Sequence, residues 1–323
     1  MLAGIILAQA LTLAVSGPTS SPEYLPLRVA DAEGYFAKEG LTVTLRTTRA
    51  EPGAAEALTQ GQADLAATTL DAMLRFGPRT AKQAPRLVLG LTAAPPVALL
   101  IADTQKDIVH SIEDLPGKRV GVTTPGAPEQ AWLAWLLARA GLSPGQLTLV
   151  SRGERGLVQA VETGDVHGAL VRDPSASRLL EAGQAQLLVD LRTPAAVKEA
   201  LGVATVNAAV FMRADRPVRD RDVAAFTRAV LAAEQRIATA SASELAERLP
   251  SSLTVPADDF EARLAACRTV YVPDGTVTID EVRQTLTLIR GQLPLPATAR
   301  VPKPEELLWS PSRRALTPPA AAR

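Results

Sequence analysis

The sequence predicts an α/β fold of two lobes with a ligand cleft between them. Segments typical of strands alternate with segments typical of helices, and this alternation starts anew near residue 118. The 323 residues exceed a single domain of ~100–200 residues. Hydrophobic residues make up 47% of the chain and charged residues 21%, which excludes a disordered protein. Ligands of such sheets bind beyond the carboxyl ends of the strands, so the cleft between the lobes is the expected site.

In the first part of the chain, short apolar or alternating runs predict strands, and apolar residues at helical spacing predict helices. Leu41–Arg46 alternates with period two, and Gly40 before it suits the C-terminal cap of a helix. The predicted strands cover residues 11–15, 41–46, 63–67, 86–91 and 97–102, and the predicted helices cover 24–39, 52–59 and 70–76.

The second part repeats the pattern and then becomes helical. A glycine, Gly141, closes the apolar helix that follows the first strand of this part. The predicted strands cover residues 118–122, 147–150, 168–171, 186–190 and 205–212. The predicted helices cover 129–140, 157–162, 175–181, 221–240, 243–249, 258–268 and 279–291. From residue 293 the chain is a proline-rich tail, and we expect its end, 311–323, to be mobile.

Composition excludes several classes of function. The chain carries 34 Lys and Arg against 34 Asp and Glu, so no net positive charge attracts nucleic acid. One Cys and two His exclude a disulfide framework and a zinc site built from several Cys and His ligands. We expect no cofactor and no metal. His110 and His167 are interpreted as surface residues, and Cys267 as a buried, inert thiol.

The N-terminus has the pattern of a short export signal. Residues 2–8 are apolar, and Ala8-Gln9-Ala10 matches the small-x-small pattern that signal peptidase reads, which predicts a signal peptide over residues 1–10 and a periplasmic protein. No Cys follows the apolar run, so we expect no lipid anchor. The alternative is that residues 2–15 form a buried strand or the start of a helix.

Small polar residues follow several predicted strands. Ser16–Ser21, Thr68-Thr69 and Thr123–Ala127 occupy such junctions, where backbone N–H groups at helix N-termini suit carboxylate, sulfonate, nitrate or phosphate groups. Arg172-Asp173 follows another strand and places a charged pair at the expected cleft. The alternative is that these residues are ordinary helix caps. No motif of a phosphate loop, a zinc protease or a serine hydrolase is present, so no catalytic residue is predicted.

An ordered series of short motifs resembles a known family. The series includes Tyr24-Leu25-Pro26-Leu27, Glu33-Gly34-Tyr35-Phe36, Gly61-Gln62-Ala63-Asp64, the segment 115–126, Gly141-Leu142-Ser143-Pro144 and Asp173-Pro174. In this order, over roughly residues 11–291, they resemble ABC-transporter substrate-binding proteins of the nitrate, sulfonate and taurine type. That group is itself similar to the thiamine-pyrimidine-precursor synthases.

The resemblance implies a type 2 periplasmic-binding-protein fold whose chain crosses twice between the lobes, near Ala102-Asp103 and near Asn207. One lobe would comprise residues 11–101 and 208–292, and the other 102–207. It also implies a monomer that binds a small polar or anionic molecule and delivers it to an inner-membrane ABC permease with its ATPase. The alternative is a cytoplasmic enzyme on the same fold, of the menaquinone-pathway or pyrimidine-precursor type, although the Cys-rich motif of the latter is absent.

The resemblance also implies a set of ligand-binding residues. They are Ser16, Thr19, Tyr24, Thr68, Thr69, Thr92, Thr123, Thr124, Gly126, Ala127, Arg172 and Asp173. Ala127 departs from the family pattern, because many members have Ser or Thr at this position. The loss of that hydroxyl weakens the expectation of a sulfonate or nitrate ligand.

Overall fold

The computed structural model describes residues 10–124, 129–292, 295, 297 and 300–309. In these residues ten strands form two five-stranded mixed sheets, and helices pack against both. The two sheets confirm the predicted α/β architecture.

The first sheet has the strand order β2-β1-β3-β10-β4. β1 pairs in parallel with β2 and β3, whereas β10 runs antiparallel between β3 and β4. The strands are β1 (Ala10–Val15), β2 (Thr42–Thr47), β3 (Leu65–Thr69), β4 (Pro85–Thr92) and β10 (Ala208–Arg213).

The second sheet has the order β7-β6-β8-β5-β9. Its strands are β5 (Val97–Ala102), β6 (Arg119–Val122), β7 (Thr148–Ser151), β8 (Gly168–Arg172) and β9 (Ala185–Asp190). The prediction that residues 97–101 belong to the first lobe is wrong, because Leu99 of β5 lies opposite Leu170 and Val189 of the second sheet. The first crossing therefore lies at residues 93–96, before β5, and not near Ala102-Asp103.

Fourteen helices occur in the described ranges. They are α1 (Leu25–Ala32), α2 (Tyr35–Lys38), α3 (Glu51–Thr59), α4 (Leu70–Phe76), α5 (Glu129–Arg139), α6 (Gly153–Glu162), α7 (Ser175–Glu181), α8 (Pro194–Leu201), α9 (Asp220–Thr239), α10 (Ala242–Ala246), α11 (Ser251–Thr254), α12 (Ala257–Cys267), α13 (Ile279–Gln292) and α14 (Pro304–Leu307). The predicted helix over 24–39 is divided at Gly34, whose φ of 69° a glycine tolerates without strain. The sequence did not predict α8, although Thr193 caps it by accepting a hydrogen bond from the Ala196 N–H at 3.1 Å.

Each lobe has its own apolar core. Tyr24, Phe211 and Phe226 are fully buried in the first lobe. Helix α13 contributes to both lobes, because Leu288 packs in the core of the second lobe while Leu286 packs in that of the first. This helix therefore joins the lobes by apolar contact.

The proline-rich tail is partly integrated into the first lobe. Leu307 is fully buried, and the Trp309 N–H donates a hydrogen bond to the Leu87 carbonyl at 3.0 Å. The predicted signal segment, apart from Ala10, and the predicted mobile end at 311–323 lie outside the described residues. Across the described part of the chain, every helix is too short or too polar to cross a bilayer.

A buried carboxyl group on α9 makes the stability of this lobe depend on pH. Glu234 is 7% exposed, and neither of its carboxyl oxygens has a hydrogen-bond partner among the described residues. Burial, and then the charge of Asp274, raises the pKa of Glu234 to about 9 from an ordinary value of 4.5. The folded state therefore keeps a proton that the unfolded state releases, so the free energy of unfolding falls as the pH rises from about 4.5 to about 9.

We expect Glu234→Gln to remove most of this pH dependence. At pH 8 the variant should be more stable than the wild type by on the order of 1–3 kcal/mol, measured by urea denaturation. Glu247→Gln, on an exposed side chain, is the control and should follow the wild-type pH profile. A parallel profile for Glu234→Gln and the wild type would show that Glu234 is ionised in the folded protein.

Candidate functional site

A cleft of about 890 Å³ lies between the two lobes. The first lobe contributes loop and helix-start residues that follow its parallel strands, and the second lobe contributes the corresponding residues of its own sheet. The lining residues used below are Glu23, Glu51 and Thr69 from the first lobe, Thr123, Thr124, Glu129, Trp132, Arg172 and Asp173 from the second, and Asn207 from the returning crossing segment. This position is the one expected for an α/β site.

The two crossing segments are hydrogen-bonded to each other at the back of the cleft. The buried Asn207 side chain donates from Nδ2 to Thr92 Oγ1 at 3.0 Å and to the Ala94 carbonyl at 3.2 Å. The Asn207 N–H also donates to the Thr92 carbonyl at 2.9 Å. These bonds hold together the segments about which the lobes would rotate.

In the first lobe, Glu51 at the start of α3 accepts hydrogen bonds from three residues. The Tyr24 hydroxyl lies 2.8 Å from each carboxylate oxygen, the Thr68 hydroxyl donates at 2.7 Å, and the Thr69 N–H donates at 3.0 Å. Burial, and then the nearby charge of Glu23, raises the pKa of the Glu51 carboxyl. The network fixes the end of β3 at the cleft surface.

In the second lobe, two carboxylates make similar contacts. Glu129, 3% exposed at the start of α5, accepts from the Thr123 N–H at 3.4 Å and from the Thr123 hydroxyl. Asp173 accepts from the N–H and the hydroxyl of Ser177 at 3.1 and 3.0 Å. Carboxylates at the starts of helices are favoured by the helix dipole and by the free N–H groups there.

Two ion pairs join the lobes across the cleft. The Arg172 guanidinium, at the end of β8, donates to Glu23, which is only 2% exposed. Burial by itself lowers the pKa of Arg172, but the charges of Glu23, Glu129 and Glu154 together raise it, so this side chain stays charged. The second pair, Arg178 with Asp259 at 3.0 Å, is half-exposed at both ends. The lobes are thus in contact across the cleft without a ligand.

Five of the predicted site residues line this cleft: Thr69, Thr123, Thr124, Arg172 and Asp173. Five others do not. The Tyr24 and Thr68 side chains bond Glu51 behind the lining, Thr92 Oγ1 accepts from Asn207, Ser16 is fully buried, and Thr19 lies in a small adjacent pocket. Their hydroxyls support the lining residues rather than reach the cleft. Gly126 and Ala127 lie outside the described residues.

Sequence reasoning missed the carboxylates and the aromatic side chain of the site. Glu23, Glu51 and Glu129 were not among the predicted residues, and neither was Trp132. A signal existed for two of them, because Glu129 begins a helix after a strand and Trp132 follows three residues later on the same face.

The described residues hold no group of three or more His, Cys, Asp or Glu side chains suited to a metal ion. Cys267 is fully buried, and burial raises its pKa to about 11, so it is not an activated nucleophile. The sequence interpretation of this thiol as buried and inert is confirmed.

Comparison with known proteins identifies the family. The family model described as "NMT1/THI5 like" matches residues 21–240, more than half of the chain. The chain belongs to the NMT1/THI5-like family. This agrees with the family resemblance inferred from the ordered sequence motifs.

Individual relatives of the family are binding proteins. The taurine-binding periplasmic protein of Escherichia coli (strain K12) is 28% identical over 186 residues, which cover 55% of this chain and 53% of the relative. The chain therefore matches about half the length of that curated relative. Among solved structures, a protein from Bordetella bronchiseptica RB50 has a TM-score of 0.74 at 25% identity, covering 95% of this chain and 96% of the other.

The alkanesulfonate-binding protein SsuA from Xanthomonas axonopodis pv. citri, solved with bound MOPS, has a TM-score of 0.68 at 18% identity, covering 93% of this chain and 98% of the other. At that identity the likeness concerns the fold alone. Together with the two sheets and the two crossing segments, it shows that this family member has the periplasmic-binding-protein fold.

Proposed function

We propose that the protein is the solute-binding component of an ABC importer, which captures a small polar solute in the cleft by closure of the lobes and delivers it to a membrane permease. The observation that carries this proposal is a cleft of about 890 Å³ lined by polar side chains of both lobes. A solute that contacts both lobes favours the closed arrangement by its additional contacts there. The taurine-binding relative and the shared fold support the same class of function.

The geometry supports binding without chemical change. Glu51 and Glu129 are held by hydrogen bonds from their own lobes, and the Cys267 thiol is buried away from the cleft lining. We propose that the solute leaves as it entered, and that the protein acts in the periplasm as a monomer.

The proposal is tested by thermal-shift screening of the purified protein against a broad metabolite library, followed by calorimetry and by NMR of the recovered solute. A solute at about 100 times its dissociation constant should stabilise the fold by about 2.7 kcal/mol. We expect one solute per chain, recovered unaltered. Absence of binding across the library, or conversion of the bound solute, would contradict the proposal.

A further inference from the structure

The donors that suit an anionic ligand in this cleft are already used by the protein's own carboxylates. The Thr69 N–H donates to Glu51, the N–H and hydroxyl of Thr123 donate to Glu129, and the Arg172 guanidinium donates to Glu23. Sequence analysis assigned these same donors to a solute oxyanion. An oxyanion would have to displace a carboxylate from each of them and leave that carboxylate without its partner, which is costly in a buried site.

The charge of the cleft surface points in the same direction. The described residues that line it include seven carboxylates and four guanidinium groups. The carboxylates belong to Glu23, Glu51, Glu129, Glu154, Asp173, Asp258 and Asp259, and the guanidinium groups to Arg155, Arg172, Arg178 and Arg263. Arg178 and Arg263 both pair with Asp259, at 3.0 Å each. Arg172 is influenced by the charges of Glu23, Glu129 and Glu154 together. Formally, carboxylates exceed cations around it.

One of these carboxylates is also incompletely satisfied. Glu23 is 2% exposed, lines the cleft and is bound through Oε1 to Arg172, while its Oε2 is buried and has no hydrogen-bond partner in the ranges that the structure describes. A buried carboxylate oxygen without a donor is unfavourable, so a donor supplied by the solute would stabilise the complex.

We propose that the cleft binds a solute through a positively charged nitrogen group, a primary ammonium or an amidinium, placed against the Glu23 carboxylate between Glu51 and Glu129. This inference rests on the proposed function and narrows its solute class. An ammonium supplies three donors and an amidinium four, and neither requires a carboxylate to leave its present partners. A simple oxyanion, such as sulfate or nitrate, lacks this group and is excluded by it.

The test compares matched pairs of probes that differ in the charged nitrogen. Taurine is compared with isethionate, 1,4-diaminobutane with 1,4-butanediol, and benzamidine with benzamide, and the general library is sorted by charge. Thermal shift and calorimetry are measured for the wild type, for Glu23→Gln and for Glu113→Gln, an exposed residue of the second lobe, as the control. Circular dichroism checks that the Glu23→Gln variant is folded.

We expect the library solutes that bind to carry a cationic nitrogen and to bind at least about tenfold tighter than their uncharged counterparts. Glu23→Gln should lose most of that difference, whereas Glu113→Gln should keep it. Binding confined to oxyanions or uncharged solutes, or an unchanged ratio in folded Glu23→Gln, would overturn this inference and leave the proposed function standing. Absence of binding by every probe and every library solute would overturn both.

Discussion

Glu51→Ala is expected to destabilise the protein by about 3–6 kcal/mol. The substitution removes the acceptor for the Tyr24 hydroxyl, the Thr68 hydroxyl and the Thr69 N–H, and the first two side chains are fully buried. A buried donor that loses its partner costs about 1–3 kcal/mol. The measurement is chemical denaturation of both proteins at pH 7. Solute binding should weaken as well, because Thr69 lines the cleft.

Two variants control this experiment. Glu51→Gln keeps one carbonyl oxygen as an acceptor, so its loss of stability should be clearly smaller than that of Glu51→Ala. Glu56→Ala changes an exposed residue of the same helix and should alter stability by less than about 0.5 kcal/mol. If Glu51→Ala were as stable as Glu56→Ala, the hydrogen bonds around Glu51 would not hold the end of β3.

Arg172→Met is expected to separate the lobes of the solute-free protein. The substitution leaves Glu23, 2% exposed, as an unpaired carboxylate, and removal of one partner of a buried ion pair costs about 3–5 kcal/mol. Arg172 is itself partly exposed, so we expect the lower part of this range. Since the two partners belong to different lobes, hydration of Glu23 by opening of the cleft relieves this cost. Small-angle X-ray scattering should therefore show a larger radius of gyration.

The second inter-lobe ion pair provides the matched control. Arg178→Met removes a half-exposed pair of the same geometry, which contributes only about 0–1 kcal/mol, so the radius of gyration should stay near the wild-type value. The double variant Glu23→Gln/Arg172→Met has no unpaired carboxylate and should regain much of the wild-type compactness. Equal radii for Arg172→Met and Arg178→Met would contradict the role given to the Glu23–Arg172 pair.

The strands could be predicted from local sequence, but their assignment to a sheet could not. The segment 97–102 is apolar throughout and was recognised as a strand. Its partners β8 and β9 lie about 70–90 residues further along the chain, and no local pattern indicates them. The sequence placed this strand with the preceding ones because consecutive strands are neighbours in most folds. Here the chain crosses to the other lobe first.

The candidate site was predicted in position but only partly in chemistry. The donors Thr69, Thr123 and Arg172 follow strands, which is a pattern visible in the sequence. The acceptors Glu23 and Glu51 reach these donors from segments between 17 and about 150 residues away, so the pairing depends on the complete fold. Sequence analysis therefore found the polar donors and missed the carboxylates that occupy them.

The central claim is that the two lobes close around one solute in the cleft between them. Small-angle X-ray scattering, during titration with the solute selected by the thermal screen, tests this claim most directly. The account predicts a saturable decrease in the radius of gyration that ends at one solute per chain. A radius that stays constant while calorimetry shows the solute to be fully bound would contradict it.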